Sequence, residues 1–206
     1  MKIDFHVHTN FSDGLNSVKD VLKQAIKIGL DGIMISDHDT TESSLFARKI
    51  IKRMDKNFLV VPGTEITTPN GDILAIGVDE AFTGTPQEII KKIHAVGGLA
   101  VAAHPFGGYW PRPFVADFDS YAFDAIEVLN GGVSKIGNQK AMKLAKERGL
   151  PGTAGSDAHI ASSIGSCFTV IENAQDVEDI KKAIKKGAMK IKTRIPELKE
   201  LITAYN

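Results

Sequence analysis

Several features that mark other classes of protein are missing from this sequence. Its 206 residues include one cysteine, Cys167, so an internal disulfide is excluded and a reduced, cytoplasmic setting is the expectation. No apolar run reaches the roughly 18 residues of a membrane span, and no basic-then-apolar leader is present. We therefore expect neither a membrane partner nor a secretion signal.

The sequence also lacks an excess of charge of either sign. Lys and Arg total 25, as do Asp and Glu, so no overall field draws the chain to nucleic acid or to an anionic membrane. Any nucleic-acid substrate must be bound locally at a site. Internal repeats, low-complexity tracts and Pro/Ser-rich linkers are absent as well, which predicts a single domain over residues 1–206.

What the chain does have is an alternation of short apolar runs with amphipathic helical patterns. In the first such helix, Val18, Leu22 and Ala25 fall on one face. A later one begins at Thr85 with Glu88 three residues on, the pattern of a capping box. Strand–helix alternation of this kind predicts an α/β fold with parallel strands. Further helices are predicted near residues 41–53, 135–148 and 177–187.

The number of strands narrows this fold class. We count seven or eight apolar runs, in a chain shorter than the roughly 250 residues of an eight-fold barrel. "FLVVPGTEI" and "DILAIGV" flank the turn sequence "TTPNG", so these two runs are predicted to form a hairpin. We expect a distorted, TIM-like (β/α) barrel, with an open doubly wound sheet as the alternative.

Imidazoles and carboxylates collect where the predicted strands end. Five of the six histidines lie at such ends, four of them close to acidic residues in the sequence, and in this fold class functional groups gather at strand ends. Each of these groups also has a local structural explanation, such as Ser156 and Asp157 capping the segment that follows them. One metal cluster, however, accounts for all of the groups together. Imidazole and carboxylate without thiolate suit Mn, Fe or Zn in a catalytic site. The residues concerned are His6, His8, Asp13, Asp37, His38, Asp39, Glu65, His104, Glu127, Asp157 and His159.

Six motifs, in order, resemble the PHP (polymerase and histidinol phosphatase) family of metal-dependent phosphoesterases. They are "DFHVHTNFSDG", "ISDHD", "PGTEI", "AAHP", "IEVLN" and "AGSDAH", and they run to about residue 170. The resemblance implies a distorted (β/α)7 barrel with two or three divalent metal ions, Mn, Zn, Fe or Mg, at the carboxyl ends of its strands.

Carried over by position, the resemblance also implies which residues hold each metal. The first metal would take His6, His8, Glu65 and Asp157; the second, Glu65 and His104; the third, Asp13, His38 and His159. The family often supplies a further histidine after the glutamate, and this sequence has none there. Asp72 is the candidate replacement, and a carboxylate at that position favours a harder ion such as Mn or Mg.

The activity that follows from the resemblance is hydrolysis of a phosphoester by metal-activated water. Glu65 would set the metal spacing, Asp157 would help fix the attacking water, and His159 would help protonate the leaving group. Asp37 and Asp39 are predicted to orient His38.

For substrate contacts, we predict Trp110 and Arg112 in the loop "GGYWPRP" and Asn130 after the next strand. These contacts suit a small phosphorylated substrate, a nucleotide or a short oligonucleotide. Two other classes remain open. Amidohydrolases also begin with His-x-His but commonly bridge their metals with a carboxylated lysine, where Glu65 stands here, and a non-catalytic metal-binding module would lose several ligands.

Overall fold

The computed structural model describes residues 1–55, 57–107 and 113–194. The α-helices are α1 (Val18–Lys27), α2 (Glu42–Met54), α3 (Pro86–Ala95), α4 (Lys135–Arg148) and α5 (Val177–Lys185). The strands are β1 (Lys2–Val7), β2 (Gly32–Ile35), β3 (Leu59–Val61), β4 (Gly63–Ile66), β5 (Ile73–Ile76), β6 (Leu99–Ala102), β7 (Ala125–Asn130), β8 (Gly152–Gly155), β9 (Cys167–Val170) and β10 (Lys190–Thr193). Three short 3₁₀ helices lie at 113–115, 118–120 and 161–163.

The strands pair as two five-stranded sheets, in the orders β10-β9-β1-β2-β3 and β4-β5-β6-β7-β8. Neighbours are parallel within β1-β2-β3 and within β6-β7-β8. β5 is antiparallel to both β4 and β6, which confirms the predicted hairpin. The mixed α/β class is confirmed, but the described ladders close neither into one barrel nor into one open sheet.

Backbone hydrogen bonds join the two sheets along two seams. At one seam the Asp157 N–H donates to the His6 carbonyl at 2.8 Å, and at the other the Glu65 N–H donates to the Ser36 carbonyl at 3.1 Å. Gly155 allows the first approach, because a Cβ there would lie 2.4 Å from the Cβ of His6. Asp39 and Asp157 adopt positive φ angles of 56° and 53°, which interrupt regular pairing beside the seams.

The helices bury the faces that the sequence pattern indicates. α1 buries Val18, Val21, Leu22 and Ala25 against the first sheet, and Thr85 forms the predicted capping box at α3. α4 has its predicted bounds, whereas α5 ends two residues early, at Lys185. Within the described part of the chain, no helix has both the length and the apolar character needed to cross a bilayer. The hydrogen bonds at the two seams, described above, bring the ends of β1, β2, β4 and β8 side by side.

Candidate metal centre

His6, on β1, is the centre of a buried group of facing acceptor atoms. Its Nε2 lies 3.0 Å from Glu65 Oε2 and 3.4 Å from Asp157 Oδ1. Its Nδ1 lies 3.0 Å from Glu127 Oε1, and His6 and Glu65 are at most 1% exposed. If the Nδ1–H donates to Glu127, the lone pair of Nε2 faces two carboxylate oxygens. Such an arrangement needs a proton or a cation between the facing atoms.

His8 lies on the same face as His6, because side chains alternate along a strand. Its Nε2 is 3.2 Å from Glu65 Oε2 and 3.4 Å from Asp157 Oδ1. Neither ring nitrogen of this buried histidine has a hydrogen-bond partner with acceptable geometry in the described chain. A buried imidazole without partners is costly. A cation among these oxygens would satisfy Nε2, so the donor set fits a metal ion.

Glu65 extends this group in a second direction through its other oxygen. His104 Nε2 lies 2.9 Å from Glu65 Oε1 and 4.0 Å from Asp72 Oδ2. All three side chains are buried, and a ligand atom from each lies within 4.8 Å of the others. Asp72, the predicted replacement for the missing imidazole, therefore lies beside the other two predicted ligands of the second metal. Glu65 could bridge two cations, one on each oxygen. We call His6, His8, Glu65, Asp72, His104 and Asp157 the inner group.

Asp13, His38 and His159 form an outer group on the solvent side. Asp13 Oδ2 lies 3.1 Å from His159 Nε2 and 3.8 Å from His38 Nε2. The Nδ1–H of His159 donates to the Asp157 carbonyl at 3.0 Å, which turns Nε2 towards Asp13. His38 Nε2 is also 3.5 Å from Glu65 Oε2, so the outer group adjoins the inner one. All nine predicted ligands thus meet at one end of the strands.

The charges of the inner group are tightly coupled. Burial would lower the pKa of His6, but the negative charges of Glu65, Glu127 and Asp157 raise it well above its ordinary value. Burial would raise the pKa of Glu65, but His6 and His104 hold it well below its usual range. Protons and cations therefore compete for the same buried sites.

Glu127 is a positioning residue whose role the sequence did not reveal. It is buried on β7, where its Oε1 faces His6 Nδ1 while its Oε2 accepts the backbone N–H of His104 at 2.9 Å. It therefore orients the imidazole of His6 and holds the backbone of His104, two residues on different sides of Glu65. Its place in "IEVLN" gives the signal of a strand residue, but not its partners, which lie 23 and 121 residues away.

Asp4 is a residue of the site that sequence reasoning missed. Its fully buried carboxylate accepts the backbone N–H groups of His6, Ser156 and Gly165 at 3.2, 2.8 and 2.8 Å. Burial raises the pKa of this carboxyl to about 6. Asp4 therefore ties β1 to the segment that carries Asp157.

Asp37 does not orient His38 as predicted. Its oxygens accept the Thr9 N–H at 2.7 Å, the Thr9 hydroxyl at 2.6 Å and the Ser12 hydroxyl at 2.7 Å. It fixes the loop after β1 instead, because that loop passes directly over the end of β2. Asp39 accepts the Thr67 N–H at 3.0 Å, and Thr67 Oγ1 lies 3.0 Å from His38 Nδ1, so its effect on His38 is indirect.

The predicted substrate contact at Asn130 is not supported by its hydrogen bonds. This residue is 1% exposed, and its amide donates to Glu127 at 2.9 Å and to Asp157 at 3.2 Å. Its Oδ1 accepts the Gly132 N–H at 2.8 Å, so protein groups engage both ends of the amide. The other two predicted contacts, Trp110 and Arg112, lie outside the described residues.

Comparison with known proteins places these residues in a recognised pattern. A family model described as "PHP domain" matches residues 4–122, and one described as "PHP-associated" matches residues 135–189. An uncharacterized protein of Methanocaldococcus jannaschii is 32% identical over 161 residues, which cover 69% of this chain and 92% of that protein. All nine predicted ligands fall inside the ranges matched by the two models.

Two more distant similarities cover parts of longer proteins. A 5'-3' exoribonuclease of Haemophilus influenzae is 39% identical over 74 residues, which are 34% of this chain and 27% of that protein. A crystal structure from Bacteroides vulgatus, titled as a two-domain protein containing a predicted PHP-like metal-dependent phosphoesterase, has a TM-score of 0.79 at 20% identity. The match covers 94% of this chain and 65% of that one, and it is a likeness of fold.

Proposed function

The chain belongs to the PHP domain family, and on this premise we propose that it is a metal-dependent phosphoesterase acting on a small phosphate ester, a nucleotide or the end of a short oligonucleotide. The reaction is hydrolysis, in which water attacks phosphorus and the alcohol oxygen leaves. The Haemophilus influenzae relative is named a 5'-3' exoribonuclease, and because ribonucleases cleave phosphodiester bonds, this similarity supports the class of reaction.

One observation carries the proposal: three imidazole nitrogens converge on Glu65 Oε2. The Nε2 atoms of His6, His8 and His38 lie 3.0, 3.2 and 3.5 Å from that oxygen. Facing acceptors in a buried site are stable when a cation lies among them. The structure thus offers a preorganised site at which positive charge can be held next to a substrate phosphate.

We assign two or three divalent cations to this site. His6, His8, Glu65 and Asp157 would hold the first; Glu65, Asp72 and His104 the second; and Asp13, His38 and His159 a third. The second set has two carboxylates and one imidazole, which favours Mn or Mg over Zn or Fe at that position. When bound, such ions lower the pKa of water and neutralise charge on phosphoryl oxygens.

The chain's own residues then divide the remaining work. Glu65 sets the spacing of the two inner sets through its two oxygens, and Asp157 fixes His6 and His8 from the opposite side. His159 Nε2, 3.1 Å from Asp13 Oδ2, lies on the open side of the site, where it can hold a proton for the departing oxygen. With a third cation present, His159 and Asp13 act by holding that ion instead.

The test is a substrate panel with metal-replete full-length chain. We expect hydrolysis of one or more of ribose 5-phosphate, nucleotides, short RNA or DNA ends and a diester reporter, and no cleavage of amides. Monoesters would release phosphate, and diesters would release a nucleotide or the reporter alcohol. Amide cleavage without hydrolysis of any phosphate ester would assign the chain to the amidohydrolase class. Elemental analysis below a tenth of an ion per chain would indicate a non-catalytic module.

We also propose that the two sheets are the halves of a distorted (β/α)7 barrel within one catalytic domain over residues 1–206. The hydrogen bonds at both seams support this arrangement, as does the likeness to the Bacteroides vulgatus structure.

The lone cysteine, Cys167, is buried, and burial raises the pKa of its thiol to about 12. An inert thiol is consistent with a reduced, cytoplasmic setting.

A further inference from the structure

Exposed apolar side chains are concentrated beside the outer group. The described chain exposes seven large apolar side chains: Phe11, Leu15, Phe46, Val96, Ile136, Met142 and Ile160. Three of them, Phe11, Leu15 and Ile160, lie within two residues of Asp13 or His159 in sequence. Phe46 is a fourth, because its ring contacts that of Phe11. Four of the seven exposed apolar side chains thus lie near the outer group, and exposed apolar side chains that cluster in this way mark a binding site.

Two members of this patch form an aromatic pair. The ring centroids of Phe11 and Phe46 lie 6.4 Å apart with an angle of 30° between the planes, and each residue is 44% exposed. The loop that carries Phe11 is held in place, since its N–H donates to Thr9 Oγ1 and Asp37 fixes Thr9. The pair is therefore a preorganised apolar surface, and Phe11 is two residues from Asp13 in the sequence.

Exposed cations continue from this pair along one face of α2. Lys49 follows Phe46 by three residues and Arg53 by seven, so both lie on the same side of the helix as Phe46. Both are exposed, and Arg53 lies about 10 Å from Phe46 along the helix axis. Arg48 lies off this face and pairs with Asp79. The rim thus presents an aromatic surface followed by a short row of positive charge.

We propose that the Phe11–Phe46 pair and the Lys49–Arg53 row bind a single-stranded oligonucleotide substrate. A base next to the reacting phosphate stacks on the aromatic pair, and the phosphates that follow lie along α2. Stacking surfaces beside basic grooves are how proteins bind single strands without reading their sequence. This inference rests on the proposed function and adds the substrate class. A mononucleotide would use only the aromatic pair, and a protein partner would not require the row of cations.

The test measures binding by the metal-loaded full chain to fluorescein-labelled ten-nucleotide RNA and DNA with phosphorothioate linkages, which slow hydrolysis. We expect Phe46→Ala and Phe11→Ala to weaken binding about 5- to 150-fold, the range that base–aromatic stacking supplies. Phe46→Tyr, which keeps an aromatic ring at this position, should bind like wild type. Val96→Ala, which removes an exposed apolar side chain at the C-terminal end of α3, is the matched control and should bind as wild type.

The cation row has its own readout, the salt dependence of binding. Lys49→Gln with Arg53→Gln should reduce the slope of log K against log salt by about 1.4, since each lost phosphate contact on a single strand removes about 0.7. Lys182→Gln with Lys185→Gln on α5 makes the same charge change elsewhere and should leave the slope unaltered. A loss on RNA and DNA alike supports strand binding, and a loss on RNA alone supports it with recognition of the 2'-hydroxyl.

The outcomes separate this inference from the proposed function. Phe46→Ala binding within twofold of wild type would overturn the inference. So would wild-type chain that releases phosphate from ribose 5-phosphate yet binds no oligonucleotide at 100 μM, and in that case the phosphoesterase proposal stands. A dimer that depends on Phe46, seen by sedimentation without oligonucleotide binding, would assign the patch to a second copy of the chain. Strand binding without hydrolysis of any phosphate ester would keep the strand-binding surface and remove the proposed function.

Discussion

The inner and outer groups use the same residue types but differ in their surroundings. In the inner group, His6, His8 and Glu65 are at most 1% exposed, whereas the side chains of His38, His159 and Asp13 in the outer group are 30, 41 and 51% exposed. Water screens the outer charges, so their mutual attraction is weak. The inner charges lie in a medium that screens them poorly, so each depends on its neighbours.

This contrast indicates a division of labour. The inner group is held from behind by Glu127 and Asp4, and its geometry is set before any ligand arrives. The outer group sits beside the exposed Phe11–Phe46 pair and can adapt to what enters from solvent. We therefore expect inner residues to control cation binding and turnover, and outer residues to modulate them.

The difference between the two groups is tested most directly by removing one carboxylate charge from each group. Glu65→Gln should lower kcat/KM by about 10³-fold, because it leaves buried imidazoles and cations without their shared anion. Asp13→Asn should lower it only about fivefold, as expected for an exposed, screened charge. Steady-state kinetics on the best ester, with metal content measured for each variant, gives both values. Equal losses in two variants that melt like wild type would contradict the division.

The pH dependence of the free energy of unfolding, measured on metal-free protein, tests the inner group alone. Burial would lower the pKa of His8, but Asp157 and Glu65 raise it to about 9. Its unfolded pKa is near 6.5, so the folded state binds the proton more tightly. Protonation of His8 therefore stabilises the folded state fully below pH 6.5. As the pH rises through 9 this contribution is lost, and the free energy of unfolding falls by about 3 kcal/mol at most.

Urea denaturation of chelator-treated protein between pH 6 and 9.5 measures this effect. Metal-loaded protein should show the opposite trend, because its imidazoles must lose their protons before they bind a cation. A metal-free curve that stays flat or rises across this window would show that the inner histidines are neutral in the absence of metal.

The smallest of the three effects concerns the residues behind the inner group. Glu127→Gln should weaken cation binding about 10- to 100-fold, since the amide cannot accept from both His6 Nδ1–H and the His104 N–H and still bond Asn130. Competition with a calibrated chelator measures the affinity. Glu147→Gln, an exposed α4 residue paired with Lys143, is the control and should leave it unchanged. Affinity within twofold of wild type in Glu127→Gln would show that β7 does not position the imidazoles.

Much of the site could be predicted because its residues carry local signals. His6 and His8 lie two apart on an apolar strand, and Glu65, His104 and Asp157 each follow or end a recognisable strand. Asp72 was predicted from the resemblance to the PHP family, and the fold brings its Oδ2 to 4.0 Å from His104 Nε2. By contrast, Asp37 was paired with its neighbour His38, and the fold instead brought it to Thr9, 28 residues away.

The sequence by itself determined the residue types of the cluster, their order and the strand ends on which they stand. These follow from periodicity and turn chemistry, which act over a few residues. The tertiary structure alone decided that the strands pair as two sheets with two seams, that Glu127 reaches His6, and that Phe11 meets Phe46. Those contacts depend on sheet register and on how loops pass over strand ends, and both are set by the packing of segments far apart in the chain.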